Sequence, residues 1–319
     1  MMNKENHEPK VKQEEKCLRE PASEAALRRF CGRSWAEVDL DRARENLLYI
    51  KRQLNKGCAL IAVVKADAYG HGAAALARCF LDAGAKMLAV SCLDEALALR
   101  RAGITADILL LSEAEPERHE EGIRAGLTYT VYNRAKAESL SRAAERAGKT
   151  VKVHIKIDSG MGRIGFRGAE EESLREIREI AALPGLDLEG IFTHFATADG
   201  FDAADPETAG KAYLFRQFER FKKSIEALEE KGLNFRLRHC CNSPASLLYP
   251  EMQLDAVRPG LILYGLLPDN CPFAGDGLKP LMSLKSRVEQ VKVLKAGEAV
   301  SYGRRYRAPW DILTATVPI

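Results

Sequence analysis

The stretch IAVVKADAYGHG, Ile61 to Gly72, decides the fold. Ile61, Ala62, Val63 and Val64 read as a strand buried on both faces, the pattern of a parallel sheet. Lys65 stands where that strand runs out, and a small, polar, aromatic, glycine-rich turn follows it. A lysine ending an apolar strand is costly, because desolvation pushes it toward its neutral form. A neutral lysine amine is a nucleophile, and its typical use is a Schiff base with a carbonyl cofactor or substrate. Taken alone, a lysine that lays its stem on apolar surface and its head in water explains the position equally well. The surrounding residues decide between the two.

Outward from this stretch the pattern is regular. Strands at 58–66, 87–92, 107–112, 127–132, 151–158, 186–194, 235–240 and 255–258 alternate with helical segments. The clearest helices fall at 72–83, 94–102, 116–125, 134–147, 170–183 and 211–231. That alternation predicts an α/β chain, a closed (β/α)8 TIM-type barrel rather than an open doubly wound sheet. A strand at 35–40, followed by a helix to residue 54 that Asp41 caps, falls outside the count. It is expected to join the region after residue 279, where 283–294 and 298 onward read as β structure. The predicted organisation is a polar arm at 1–33, a barrel at 34–278 and an incomplete, mostly β domain at 279–319. The arm has almost no large apolar side chains, and reads as disordered or as a marginal surface helix over 22–29.

Composition excludes several classes of function. With 319 residues the chain is long enough for a barrel plus part of a second domain. Its 48 basic and 45 acidic residues leave a net charge of +3, which gives no electrostatic case for nucleic acid or a membrane surface. No apolar run reaches membrane-spanning length, and the N-terminus MMNKENHEPKVKQEEK lacks the apolar core of a signal peptide. The eight cysteines include no CxxC pair, and Cys240 and Cys241 are adjacent. They read as reduced thiols, and cytoplasm is the natural compartment. No metal-ligating constellation is predicted.

In such a barrel the functional groups belong at the C-terminal ends of the strands. The unusual residues fall there: Lys65 and Tyr69 after the first barrel strand, Lys156, Asp158 and the turn SGMGRIG after the fifth, and His194 after the sixth. His239 closes the seventh and leads into Asn242-Ser243-Pro244 at a helix start, and Arg258 closes the eighth in VRPGLILYG. Phosphate calls for hydroxyls and backbone N–H groups near a helix N-terminus, where the dipole is positive. Asn242 and Ser243 fit that need, and Gly260 and Leu261 are placed to present backbone N–H groups. An ordinary N-cap would explain Asn-Ser-Pro alone; beside Lys65, Tyr69 and Arg258 the phosphate reading is stronger.

The string AVVKADAYGHG closely resembles the pyridoxal-phosphate lysine motif of the bacterial alanine racemase family. KIDSGMGR, FTHFATAD, VRPGLILYG and VSYGRRY extend the resemblance from about Trp35 to the last residue. It implies a pyridoxal-phosphate barrel followed by a β domain that takes in the chain's first strand, and a cytoplasmic head-to-tail homodimer that interconverts L- and D-alanine for peptidoglycan. By the same resemblance Lys65 carries the cofactor and Tyr69 contacts its phosphate. Arg258 faces the pyridine nitrogen, His239 fixes Arg258, and His194 stacks on the ring. Arg163 contacts the phenolic oxygen, and Lys156 matches a lysine often carried as a carbamate that holds that arginine. An arginine keeps its proton and so leaves the pyridine nitrogen unprotonated, a weaker electron sink that suppresses transamination. A racemase needs one base on each face of the α-carbon. Lys65 serves one, and the resemblance gives the other to Tyr302 of VSYGRRY, reaching in from the neighbouring subunit.

The chain ends in the apolar run ILTATVPI, which looks like the middle of a strand. Family members continue beyond it, with another phosphate-contacting tyrosine and part of the substrate-carboxylate site. The 319-residue chain is therefore expected to bind cofactor weakly and racemise poorly. Three alternatives stay open: a serine or broad-specificity racemase, a non-catalytic pyridoxal-phosphate binding barrel, and a decarboxylase of this barrel type. The VSYGRRY block argues against the second, and Arg258, in place of an acidic residue, against the third.

Overall fold

The computed structural model describes residues 32–112, 114–200, 210–268, 271 and 277–319. The predicted arm, but for its last two residues, and the marginal helix at 22–29 lie outside them. The described chain forms two compact units, Val38–Leu281 and, separately, the flanking residues 32–37 together with Met282–Ile319.

In the smaller unit, β1 (Ser34–Val38, whose last residue falls in the larger unit) pairs with a strand of the C-terminal segment described below. The larger unit is the barrel. β2 (Ala59–Val63), β3 (Met87–Val90), β4 (Ile108–Leu110), β5 (Thr128–Val131), β6 (Val151–Lys156), β7 (Leu186–Phe192), β8 (Leu237–His239) and β9 (Ala256–Val257) run parallel and close on themselves, β9 pairing back to β2. The eight-strand alternation is thus realised as a closed (β/α)8 barrel. Around it lie α1 (Leu40–Arg52), α2 (Ala73–Asp82), α3 (Leu93–Arg101), α4 (His119–Arg124), α5 (Arg134–Ala147), α6 (Glu171–Ala181), α7 (Gly210–Glu230) and α8 (Ser243–Leu248).

Strand alternation sorts the core into two. Ile61 and Val63 of β2 meet Met87, Ala89, Leu109, Leu237 and Ala256 in the barrel interior. Their neighbours Leu60, Ala62, Leu88 and Val90 join the larger core with Leu47, Leu76 and Phe80 of the helices. A strand apolar on both faces therefore reads as an unbroken apolar run. β6 differs. Val151, Val153 and Ile155 belong to the helix-side core, so the intervening row Lys152, His154 and Lys156 faces the barrel interior.

Local capping corrects one expectation. The N-cap of α1 is Asp39, whose side chain accepts from the Arg42 N–H at 3.0 Å, and not Asp41. Asp41 lies inside the first turn, where a carboxylate still favours the helix dipole. The helix predicted at 116–125 opens as a 3-10 turn, Pro116–Arg118, before α4. Proline suits a first turn because its missing N–H would have no partner there. Asn133 caps α5 through the Lys136 N–H at 2.8 Å, and Gly148 ends it with φ 60°.

In the smaller unit, β10 (Met282–Ser286) pairs with β1. β11 (Gln290–Leu294) runs antiparallel to β14 (Ile312–Thr316), and β12 (Ala299–Val300) to β13 (Tyr306–Arg307). Tyr302 begins a short 3-10 turn between β12 and β13 with its side chain fully exposed.

Candidate active site

Lys65 stands two residues past the end of β2 and opens a turn of uncommon handedness. Ala66, Asp67, Ala68 and Tyr69 have φ of 50°, 51°, 54° and 53°, one left-handed turn built without glycine. Each such residue costs about 1–2 kcal/mol relative to the right-handed form, so the surroundings must impose it. Glu95 on α3 accepts from the Ala66 N–H at 2.8 Å and from the Ser91 N–H at 2.7 Å. Asp67 accepts from the Ala73 N–H at 2.7 Å, tying the turn to the start of α2. Tyr264 packs its ring 5.0 Å from that of Tyr69, and its hydroxyl donates to the Val63 carbonyl at 2.8 Å. The turn brings Lys65 and Tyr69 to one cavity, with Lys65 Nζ 5.8 Å from the Tyr69 ring centre.

That cavity, about 510 Å³, lies at the C-terminal mouth of the barrel. Lys156, Arg163, His194 and Arg258 line it with Lys65 and Tyr69, as do Asn242, Ser243, Gly260 and Leu261. His239 is not among the lining residues and sits behind Arg258. The Arg258 guanidinium donates through Nη1 to His239 Nδ1 at 2.7 Å and through Nη2 to the Thr193 and Cys240 carbonyls at 2.6 and 3.2 Å. His194 Nδ1 is 3.4 Å from the same Nη2. No carboxylate is among these partners. Burial lowers the Arg258 pKa to about 10, so it remains a cation at neutral pH. Burial first, and the Arg258 charge second, hold His194 and His239 well below the usual histidine range, so both are neutral.

Lys156 is buried over the Phe192 ring at 5.2 Å, donating to the Ile157 carbonyl at 3.0 Å. Desolvation, with the nearby Arg258 charge, lowers its pKa to about 7, so a large fraction is neutral amine. The turn SGMGRIG after β6 is pinned by Asp158, which accepts from the Gly160 and Gly162 N–H groups at 2.9 and 3.1 Å. Across the mouth, the Asn242 side chain caps α8 by accepting from the Ala245 N–H at 3.3 Å. Ser243 Oγ accepts from the Gly260 N–H at 2.8 Å. A Cβ at Gly260 would lie 2.6 Å from the Tyr69 hydroxyl, so Gly260 leaves the room that hydroxyl occupies.

Tyr302, like His239, is a predicted site residue that is not among those lining this cavity, and it belongs to the smaller unit. Several residues escaped sequence reasoning. Glu95 and Tyr264 brace the lysine turn, and Asp199 lines the cavity with a buried side-chain oxygen that has no hydrogen-bond partner among the described residues. Tyr264 was within reach of sequence, as a tyrosine closing the buried run of VRPGLILYG; Glu95 on its amphipathic helix carried no signal.

The family model of the alanine racemase N-terminal domain matches residues 38–268, and that of the C-terminal domain matches 281–319. The chain belongs to the alanine racemase family. It is 44% identical over 286 residues to the alanine racemase of Desulforamulus reducens, covering 89% of this chain and 75% of that one. Among solved structures it is similar to the alanine racemase of Clostridium difficile, with a TM-score of 0.84 and 39% identity over 91% of this chain and 74% of the other. A histidine racemase from Leuconostoc mesenteroides shares the family fold, with a TM-score of 0.77, 29% identity and coverage of 91% and 75%. The chain spans about three quarters of the length of these racemases.

Proposed function

We propose that this protein is a pyridoxal-phosphate-dependent racemase that interconverts L- and D-alanine by a two-base mechanism. It acts as a cytoplasmic head-to-tail homodimer and supplies D-alanine for peptidoglycan. The single observation that carries the reading is a cavity lined both by a strand-end lysine and by a buried arginine that has no carboxylate among its described hydrogen-bond partners. The residues present fit the cofactor. The Tyr69 and Ser243 hydroxyls and the backbone at Leu261 would suit its phosphate, with the Gly260 N–H here donating to Ser243 Oγ and any side chain at 260 intruding on the Tyr69 hydroxyl. Lys65 is the amine that would hold it, Arg258 would face its ring nitrogen, and His194 would pack against its ring. When bound, pyridoxal phosphate supplies the electron sink that makes the substrate α-proton labile.

The chain's own residues do the rest. Lys65 Nζ removes or returns the proton on one face of the α-carbon, acting on D-alanine, and the partner's Tyr302 hydroxyl serves the other face. Arg258 cannot accept a proton and presents only N–H donors, which would keep a ring nitrogen facing it unprotonated. Arg163, which lines the cavity, would contact the cofactor's phenolic oxygen. The neutral Lys156 amine is the form that adds carbon dioxide to become a carbamate, which would hold Arg163.

Interconversion of L- and D-alanine, followed together with cofactor absorbance, tests the reading. A protein that takes up the cofactor but racemises no amino acid would be a binding barrel instead. The likeness to a histidine racemase favours a second reading, a broader amino-acid range, and serine and histidine in the same assay distinguish the two.

Two substitutions probe the site directly. Arg258→Glu is expected to slow racemisation about 10²-fold and to raise transamination, because a carboxyl partner strengthens the sink. Unchanged racemisation without pyridoxamine phosphate would remove Arg258 from this role. Gly260→Ala is expected to weaken pyridoxal-phosphate affinity about tenfold, roughly 1.4 kcal/mol, since its methyl presses on the Tyr69 hydroxyl. Equilibrium titration of the cofactor measures it, and unchanged affinity would place the phosphate elsewhere.

A further inference from the structure

Below Arg258 a row of polar side chains runs down the inside of the barrel. His239 Nε2 lies 2.8 Å from His154 Nδ1, and His154 Nε2 lies 3.3 Å from Glu189 Oε2. The other Glu189 oxygen is 3.1 Å from Lys152 Nζ. The row ends at a small cavity of about 140 Å³ on the opposite mouth, lined by Glu189, Asp107, Lys86 and Arg236. The two histidines are wholly buried.

We propose that Glu189 and His154 are positioning residues for Arg258, fixing the tautomer of His239 and through it the aim of the guanidinium. The proposal rests on the reading of Arg258 as the group that faces the reacting centre.

Donor and acceptor rules leave one arrangement. Arginine only donates, so His239 Nδ1 must accept and its proton must sit on Nε2. That N–H then needs an acceptor, which makes His154 Nδ1 the acceptor and places the His154 proton on Nε2 as well. The last N–H meets a carboxylate, which accepts whatever its surroundings. Reversing either ring would set two N–H groups against each other. Charge agrees with this polarity. Burial holds both histidines neutral, and the hydrogen bond from His154 keeps the Glu189 pKa down at about 2, so Glu189 is an anion. A proton cannot travel the row, because its upper end is a guanidinium that keeps its own; what the row transmits is orientation.

The backbone is bent to make room for this row. Between β6 and β7, Val153 stands opposite Leu188 and His154 opposite Gly190, so Glu189 is the extra residue of a bulge. Bulges re-aim a side chain at the point of insertion, here toward His154. Gly190 has the same purpose. A Cβ there would lie 2.8 Å from three atoms of the His154 ring. An irregular strand and a bare backbone position thus both serve one imidazole.

Two-bond 1H–15N correlation spectra of the histidines, on the cofactor-loaded and cofactor-free protein, read the tautomers without turnover. The expected result is that His154 and His239 are both neutral with the proton on Nε2. A proton on Nδ1 of either ring would overturn the proposal, and this reading needs no variant. Glu189→Gln keeps the shape but loses the charge and gains N–H donors. It should give mixed tautomers at both rings, unchanged circular dichroism, and a kcat roughly tenfold lower with KM for alanine held. Unaltered tautomers in Glu189→Gln, or altered tautomers with an unaltered kcat, would each overturn it. If the parent protein shows the expected tautomers yet racemises nothing, the row stands and the racemase reading alone fails.

Discussion

Lys65→Ala is expected to abolish alanine racemisation, by at least about 10⁴-fold, because the proposed function asks one side chain both to hold the cofactor and to move a proton. The backbone of the turn does not depend on the Lys65 side chain, whose removal leaves the Glu95, Asp67 and Tyr264 contacts in place. The variant should therefore fold with unchanged circular dichroism and lose the near-visible absorbance of lysine-held cofactor. Borohydride reduction of the parent protein, followed by peptide mapping, should label the peptide that contains Lys65. The informative competitor is Lys156, a buried amine with a pKa near 7 in the same cavity. Label on Lys156 would reassign the two lysines.

Tyr302→Phe is expected to keep lysine-held cofactor and lose racemisation by about 10²–10⁴-fold, the usual worth of a general acid or base. The loss follows from symmetry of demand: inversion at carbon needs a proton donor on the face opposite Lys65. The Tyr302 phenol is fully exposed, as the proposed reach into another copy of the chain requires. Mixing Tyr302→Phe with Lys65→Ala should restore up to about a quarter of the parent rate after random reassortment, since half the dimers are hybrids and each hybrid has one complete site. Mixtures shown by mass to contain hybrids, yet inactive, would mean that Tyr302 does not act across the dimer.

Much of the barrel was legible because its strands are apolar on both faces, and β2, β3 and β4 read as short unbroken runs. The alternation of β6 was visible too, but not its sense. In a strand with one face to water, the polar row of Lys152, His154 and Lys156 would point outward. A closed barrel reverses this, and only closure reveals that the polar row is internal. The Arg258 end of the site could be found from sequence, since an arginine closing an apolar strand is conspicuous. Glu189 could not: it owes its inward aim to a bulge, and a one-residue register shift leaves no mark in the pattern of β7. The cap at Asp39 was missed by two residues, within the ordinary uncertainty of a helix start where aspartates stand at both 39 and 41.

The turn of Ala66 to Tyr69 also bears on the order in which the molecule assembles. A right-handed helix can begin from its own sequence, but four L-residues wound the other way have no tendency to do so alone. The turn waits on Glu95 from α3, one helix beyond its neighbour α2, and on Tyr264 from the far end of the chain's barrel segment. Contacts that distant in sequence form late, after the loops between them have closed. An unfinished barrel thus offers Lys65 in no fixed direction, and under the proposed function cofactor uptake would follow only once the last strand has met the first.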